Sequence, residues 1–183
     1  MNALDLLTTR RSSKQLTEPA PDDAQLGRML QAATQVPDHG LLTPFRFVVI
    51  RGEAALARFR ETLLKAADDM ALGEDGLQKA KRVGSMAPVV IGVVAALKPD
   101  NPVPEWEQLL TAGCAAYAIQ LAAAAQGFDN VWISGKWVDS EALRSAFACT
   151  AHDKIIALLP VGTARTPASG EKNTDLAGFV QYW

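Results

Sequence analysis

Residues 105–126 read EWEQLLTAGCAAYAIQLAAAAQ, and this stretch decides the fold of the 183-residue chain. The pattern predicts one long helix from Glu105 to Gln126, and the second half of that helix is apolar nearly all the way round. A helix of this kind is buried on most of its sides. Its many alanines, together with Gly113, predict that other helices or a second subunit pack closely against it.

Apolar runs rich in β-branched residues flank this helix and predict the strands of a sheet. The predicted strands are Phe45–Arg51, Val89–Leu97, Phe128–Ser134 and Lys154–Thr163, the last interrupted by Pro160.

Helical patterns fill the rest of the chain. An opening helix covers Ala3–Thr9, and Asp22 with Gln25 three residues later predicts a capped helix that ends before Pro37. Further helices are predicted from Gly52 to Leu72, from Leu77 to Met86 after a break at Gly73–Gly76, and from a cap at Asp139 or Ser140 to about Phe147. Helices and strands therefore interleave irregularly, which indicates a mixed α/β or α+β fold.

Composition excludes several classes of protein. Apolar residues make up 49% and charged residues 21%, which is typical of one globular domain covering residues 1–183. Eighteen basic against 20 acidic residues favour neither nucleic acid nor a membrane surface as a partner. No apolar run reaches the 18 or so residues of a membrane span, so we expect a cytoplasmic protein.

The chain lacks the residues of most familiar catalytic sites. It contains no GxGxxG, GxxxxGK[ST], GxSxG or HExxH motif, only two histidines, and two cysteines, Cys114 and Cys149, without metal-ligand spacing. We therefore predict no metal and no catalytic side chain. An enzyme built from these residues would obtain its chemistry from a cofactor.

Three segments leave a functional and a structural interpretation open. The paired arginines and serines of RRSSK (residues 10–14) suit a phosphate group, but cations also favour the end of a helix. The loop PDHG (residues 37–40) presents a histidine that need have no function. The small residues in WISGKW (residues 132–137) would let a flat ring approach the backbone, or the two tryptophans simply belong to the core or an interface.

Together these segments resemble the nitroreductase family, and within it the small, compact YdjA-like nitroreductases. The motifs that carry the resemblance are RRS near the start, PDH before the first strand, the helix WEQLLTAGCAAYAIQLAAAAQGF and VWISG, in this order along the whole chain. The resemblance implies an α+β fold with a central, mostly antiparallel sheet flanked by helices in an intertwined homodimer. The C-terminal tail of the chain, residues 164–183, ends in FVQYW and would pack on the partner subunit.

The resemblance also implies FMN as the cofactor, held at the interface of the two subunits. Arg10, Arg11 and Ser12 would contact its phosphate and ribityl side, and Gln35 and His39 would reach it from the other subunit. Gln35 stands where the branch typically has arginine. The strand beside the flavin ring would comprise Val131, Trp132, Ile133 and Ser134, followed by Gly135; Ile133 also stands where the branch can have arginine.

Further contacts follow from the same resemblance. The segment that would bind the nicotinamide nucleotide is Leu121, Ala122, Ala123, Ala124, Ala125 and Gln126. Gly162 and Thr163 would add a second phosphate contact, with charge from Arg165 and Lys172.

The implied activity is an NAD(P)H oxidoreductase that passes hydride in a ping-pong sequence to a small electrophilic acceptor, such as a nitroaromatic or a quinone. His39 would tune the N1/O2 side of the flavin, and backbone N–H groups around Ile133–Gly135 would address N5 or O4. Two alternatives stay open. One is a dimer that binds or stores flavin with little turnover, and the other is a flavin-free interaction protein in which residues 10–14 are only surface.

Overall fold

The computed structural model describes residues 2–166 and 174–183. The helices are α1 (Ala3–Thr9), α2 (Asp23–Ala33), α3 (Glu53–Asp69), α4 (Gly73–Gly84), α5 (Glu105–Ala125) and α6 (Glu141–Ala146). The strands are β1 (Leu16–Thr17), β2 (Phe45–Arg51), β3 (Val89–Ala95), β4 (Asp129–Asn130) and β5 (Lys154–Ala164). Single 3₁₀ turns occupy His39–Leu41, Lys136–Asp139 and Leu176–Gly178.

The described strands form one sheet in the order β1–β5–β3–β2, and β4 pairs with β5. Every paired strand is antiparallel to its neighbour. All seven residues of β3 are buried, because this strand has neighbours on both edges and helices on both faces. The predicted α+β fold, with a central, mostly antiparallel sheet flanked by helices, is confirmed.

Successive residues of β3 point to opposite faces of the sheet and divide the core in two. On one face, Ile91 packs in a cluster with residues of α2 and α5, among them Met29 and Ile119. On the other face, Val90 packs in a cluster with residues of α3, α4 and α6, among them Leu63. The sheet is therefore covered by helices on both sides.

Helix α5 matches its predicted bounds to within one residue and serves both the core and the surface. Ala116 and Ile119 are fully buried against the sheet, whereas Trp106 and Leu110 are each 60% exposed. Among the described residues, α5 is also the one helix long and apolar enough to cross a membrane by length and composition. Packing on the sheet accounts for much of the apolar character of α5. It does not account for the apolar residues on the exposed face, such as Trp106 and Leu110.

The predicted break at Gly73–Gly76 is wrong, because the chain turns at residues 70–72 and α4 begins at Gly73. Gly76 lies inside α4, where a Cβ would come 2.3 Å from the Cβ of Leu72. Gly76 thus lets the first turn of α4 pack closely against Leu72 and does not interrupt the helix. The capped starts predicted for α2 and α6 are confirmed at Asp22 and Ser140.

The predicted interruption at Pro160 is also wrong, since β5 runs without a break from Lys154 to Ala164. The carbonyl of Pro160 accepts a hydrogen bond from Val131 N–H (3.3 Å), on the edge away from β3. In an antiparallel strand the N–H of a residue points to the same edge as its carbonyl, so the missing N–H leaves the β3–β5 ladder intact. The predicted strand Phe128–Ser134 is shortened to Asp129–Asn130, with a further single bridge between Ile133 and Leu158.

A buried carboxylate ties β2 to the loop before β5. The side chain of Asp153 is 7% exposed and accepts hydrogen bonds from Arg46 Nη2 (3.0 Å) and Thr150 N–H (3.1 Å). Burial alone would raise the pKa of Asp153, but these hydrogen bonds and the guanidinium charge of Arg46 outweigh it, so the pKa lies below its ordinary value.

We predict that Asp153→Asn lowers the free energy of unfolding at neutral pH by about 1–3 kcal/mol, because two donors lose a charged acceptor. The lowered pKa sets the pH dependence: the stabilisation is complete above the ordinary value of 3.8 and is lost as the pH falls through the lower folded value. Urea unfolding from pH 7 downwards would measure the gap between the two proteins. Asp69→Asn, which removes an exposed ion pair with Lys65, is the control. A gap for Asp153→Asn that is constant with pH would contradict the assignment.

Candidate functional site

A cleft of about 820 Å³ opens at one end of the sheet. Its walls come from residues 14–16, from the end of α4 and the turn after it, from residues 131–134 with Trp137, and from Arg165. This volume lies within the roughly 300–1,000 Å³ typical of small-molecule sites. Four of the predicted flavin-binding residues, Val131 to Ser134, line it together.

Backbone donors face away from β5 along this wall. The N–H groups of Val131 and Ile133 are bonded to the carbonyls of Pro160 (3.3 Å) and Leu158 (2.9 Å) on β5. Because N–H groups alternate in direction along an extended chain, those of Trp132 and Ser134 point away from the sheet. The segment can therefore offer backbone hydrogen bonds to a flat ligand lying along it.

The two tryptophans of this segment have different environments. The indole of Trp132 lines the cleft and donates from Nε1 to the carbonyl of Ile156 (3.1 Å), which fixes the ring on β5. Trp137 is 6% exposed and packs against Gly135, where a Cβ would lie 2.6 Å from Cε2 of the indole. Gly135 is therefore required for this close approach. Trp137 belongs to the core and also lines the cleft, which agrees with the structural interpretation of this tryptophan. The approach of a flat ring to WISGKW stays a prediction.

Positive charge collects around the cleft. Lys14, Lys79, Arg82 and Arg165 line it, and within residues 2–166 and 174–183 no aspartate or glutamate lines it. Lys79 and Arg82 are three residues apart on α4 and so share one face of that helix. Neither residue was predicted as a site residue: both lie within the helix predicted from Leu77 to Met86, but the local sequence does not show which face of that helix borders the cleft.

The segment RRS lies beside this wall. The N–H of Ser13 donates to the carbonyl of Asn130 (3.0 Å), and Ser12 forms a parallel bridge with Asn130. Nη1 of Arg10 is buried and has no hydrogen-bond partner among the described residues. An unpaired buried guanidinium nitrogen is costly, and a phosphate oxygen is an acceptor that would satisfy it. Nη1 of Arg11 instead donates to the carbonyls of Thr8 (2.8 Å) and Arg10 (3.0 Å).

A buried pair of amides holds these parts together. Gln120 of α5 donates from Nε2 to Oδ1 of Asn130 (2.8 Å), and Asn130 donates from Nδ2 to the carbonyl of Gln120 (3.0 Å). Both side chains are at least 96% buried. The pair joins α5 to Asn130. Asn130 also contacts the end of the RRS segment and directly precedes Val131 in the chain.

Gln35 and His39 do not line the cleft of their own chain, and both are exposed. Nδ1 of His39 lies 2.7 Å from Oε2 of Glu107 on α5, and the amide of Gln35 donates to Oγ1 of Thr34 (3.0 Å). Their role at a flavin of the other subunit stays a prediction.

The predicted nicotinamide segment, Leu121 to Gln126, also lies away from the cleft, at the end of α5. Ala123 is fully buried in the core. Gln126 accepts from Nε of Arg28 (2.7 Å) and donates to the carbonyl of Gln25 (3.2 Å), which fastens α5 to α2. These contacts give the segment a structural role, and its nucleotide-binding role stays a prediction.

The last predicted contacts lie near the end of β5. Gly162 is buried, with no room for a side chain beside Pro88, and the hydroxyl of Thr163 donates to the carbonyl of Pro19 (2.8 Å). Arg165 lines the cleft, whereas Lys172 lies outside the described residues. Among the described residues, no group of three His, Cys, Asp or Glu side chains could hold a metal ion.

Comparison with known proteins identifies the family. The profile of the nitroreductase family matches residues 7–163. The "Putative NAD(P)H nitroreductase" of Haemophilus influenzae is 53% identical over the full length of both chains, and the "Putative NAD(P)H nitroreductase YdjA" of Escherichia coli K12 is 41% identical, again over both full lengths. The chain therefore belongs to the nitroreductase family, a family of oxidoreductases.

The fold agrees with this assignment. A crystal structure of a variant of NfnB from Sphigopyxis sp. strain HMH, described as an FMN- and NADPH-dependent nitroreductase, matches with a TM-score of 0.77. The match covers 100% of this chain and 99% of that one at 18% identity. At this identity the likeness establishes the nitroreductase fold alone.

The amide pair leads to a prediction with a matched control on the same helix. Gln108 of α5 is also buried and donates to the carbonyls of Val103 (2.9 Å) and Lys98 (3.1 Å), far from the cleft. Both Gln120→Leu and Gln108→Leu should lower the free energy of unfolding by about 1–3 kcal/mol, since each leaves buried polar groups unpaired.

On the flavin-binding role proposed below, only Gln120→Leu should also weaken the binding of added FMN, by about tenfold or more, because it removes the side-chain donor that helps to hold Asn130, the residue that positions both RRS and the segment at Val131. Urea unfolding and titration with FMN, followed by flavin fluorescence, would measure the two effects separately. Equal flavin affinity in the two folded variants would contradict the positioning role of Gln120.

Proposed function

We propose that the protein is an FMN-dependent NAD(P)H oxidoreductase that reduces a nitroaromatic, a quinone or a similar small electrophile. The observation that carries the proposal is the cleft itself, where a wall of outward-facing backbone donors at Trp132 and Ser134 adjoins the RRS segment and its unpaired Arg10. This donor set fits FMN, which combines a flat hydrogen-bonding ring with a phosphate.

The residues would divide the binding of FMN between them. Arg10 and the hydroxyl of Ser12 would hold the phosphate and ribityl side, and Arg165 would add charge nearby. The backbone from Trp132 to Gly135 would orient the ring, with its N–H groups directed at the N5 and O4 edge. Bound FMN supplies the chemistry of hydride acceptance and donation, and no side chain is required as an acid or base.

The open side of the cleft is compatible with a ping-pong sequence. The cleft is open to solvent beside residues 131–134, so donor and acceptor would use the same open face in turn. NAD(P)H would occupy it first and leave before the acceptor enters. The relatives from Haemophilus influenzae and Escherichia coli, each named a putative NAD(P)H nitroreductase, support a nicotinamide donor.

A homodimer would complete the site. α5 exposes Trp106, Leu110 and Tyr117 in the single chain, and neighbouring exposed apolar side chains of this kind mark surfaces that bind another protein. The tail adds Phe179 and Trp183, which are exposed in the single chain and would pack on the partner. In that dimer, Gln35 and His39 would approach the flavin from the other subunit, and His39, oriented by Glu107, would face its N1/O2 side. We further propose that this dimer is cytoplasmic.

The second candidate function is a flavin-binding or flavin-storage dimer with little turnover. The observation that favours it is the neutral side chains of Gln35 and Ile133, where the branch typically has or can have arginine. A neutral site would stabilise an anionic reduced flavin less well. The two candidates differ in the reductive half-reaction.

An anaerobic visible spectrum separates these candidates. We expect the FMN-loaded protein to show a flavin band at about 450 nm that bleaches within seconds when NADPH or NADH is added, since hydride transfer removes the oxidised chromophore. A bound flavin that persists with both donors would favour the storage function. Protein that stays colourless after incubation with FMN would contradict both and leave the flavin-free interaction protein.

A further inference from the structure

The exposed side chains of α5 form one stripe along the helix. Trp106 and Leu110 are each 60% exposed, Tyr117 is 38% exposed, and the thiol-bearing Cys114 between them is exposed as well. Spacings of four, four and three residues place these side chains on the same face of a helix. Ile119, on the opposite face, is fully buried in the core. The stripe is therefore the part of α5 that its own chain leaves uncovered.

The middle of the stripe is shallow. Gly113 has no side chain, and among the residues that the structure describes no atom lies within 4 Å of the place where its Cβ would be. Cys114 beside it has a small side chain, whereas Trp106 and Tyr117 on either side are large. A shallow middle between bulky ends lets the backbone of a second helix approach closely.

The stripe is complementary to a second copy of itself in an antiparallel arrangement. A two-fold axis through the middle of the stripe makes Gly113 face the middle of the other stripe, and each Trp106 end then meets a Tyr117 end. The charges favour this direction. Glu105 and Glu107 lie in the first turn of α5, and a parallel pair would bring the carboxylates of both copies together. The antiparallel pair separates them and places opposite ends of the two helix dipoles side by side.

We propose that α5 of a second copy of this chain crosses α5 antiparallel at Gly113, so that the two Cys114 thiols lie opposite each other across the two-fold axis. The inference rests on the homodimer of the proposed function and specifies its contact. Packed helix axes lie about 8–10 Å apart, and Cα atoms lie about 2.3 Å from their axis. Facing Cα atoms therefore come within about 6 Å of each other, a separation that a disulfide can span.

The two cysteines of the chain, Cys114 and Cys149, provide a first test with a matched control. The diazene diamide accepts two electrons and two protons from two thiols, so two S–H bonds break as one S–S bond forms. On a non-reducing gel we expect diamide to convert wild type and Cys149→Ser into a covalent dimer that excess dithiothreitol reverses. Cys114→Ser should stay at the mass of one chain.

A second test changes the size of the residue at the crossing. Gly113→Leu should raise the dissociation constant of the dimer about tenfold or more, since the new side chain fills the space that the second helix needs. Gly27→Leu on α2 is the control, because among the described residues no atom lies within 4 Å of a Cβ at Gly27 either. Both substitutions replace a glycine inside a helix, so neither should prevent folding. Sedimentation at a series of protein concentrations would measure the dissociation constants.

Three outcomes would overturn the inference. Wild type would sediment as a monomer, or it would sediment as a dimer that diamide does not link through Cys114, or Gly113→Leu and Gly27→Leu would dimerise equally well. Failure of the proposed function gives a different result, because FMN binding is measured separately by flavin fluorescence. A dimer that is linked through Cys114 and binds no FMN would keep this inference and contradict the proposed function.

Discussion

The buried amide pair of Gln120 and Asn130 is the contact on which the site depends. Buried amide donors and acceptors need partners, and here the side chain of Asn130 accepts from the side chain of Gln120 and donates to the backbone carbonyl of Gln120. The pair fixes α5 against the end of β4, directly before the cleft wall begins at Val131. The carbonyl of Asn130 accepts a hydrogen bond from the N–H of Ser13, so the chain directly after RRS is also held by Asn130. One constraint thus sets the distance between RRS and residues 131–134.

The sheet makes that constraint rigid. β3 is buried along its whole length, and β5 is bonded to it on one edge, which leaves its other edge for β4 and Ile133. Pro160 does not interrupt the pairing of β5 with β3, because its missing N–H would point to the opposite edge of β5, towards Val131. The cleft therefore lies at the edge where regular pairing ends and backbone donors become available to a ligand. The positive charges that line it come from the segment after α1, from α4 and from the residue after β5, and these meet only in the folded chain.

The sequence predicted the features that rest on local rules. The length and apolarity of α5 and the caps at Asp22 and Ser140 depend on short-range patterns, and all are confirmed. The RRS and VWIS segments were predicted as site residues through the family resemblance, and the structure brings them together through Asn130. The start of α4 could not be predicted, because Gly73 and Gly76 resemble a break unless the packing of Gly76 on Leu72 is known. Lys79 and Arg82 could not be predicted as cleft residues, because only the folded chain brings their face of α4 beside residues 131–134. The double role of Trp137 likewise depends on its contact with Gly135.

A crystal structure of the protein with FMN tests the central claim most directly. The account predicts one flavin per subunit, with its ring along residues 131–134, its phosphate within hydrogen-bond distance of Arg10 or Ser12, and His39 of a second subunit beside the ring. It also predicts that the hydrogen bonds between Gln120 and Asn130 are retained. A flavin bound elsewhere on the chain, or one held in this cleft by a solitary subunit with Arg10 still unpaired, would contradict it.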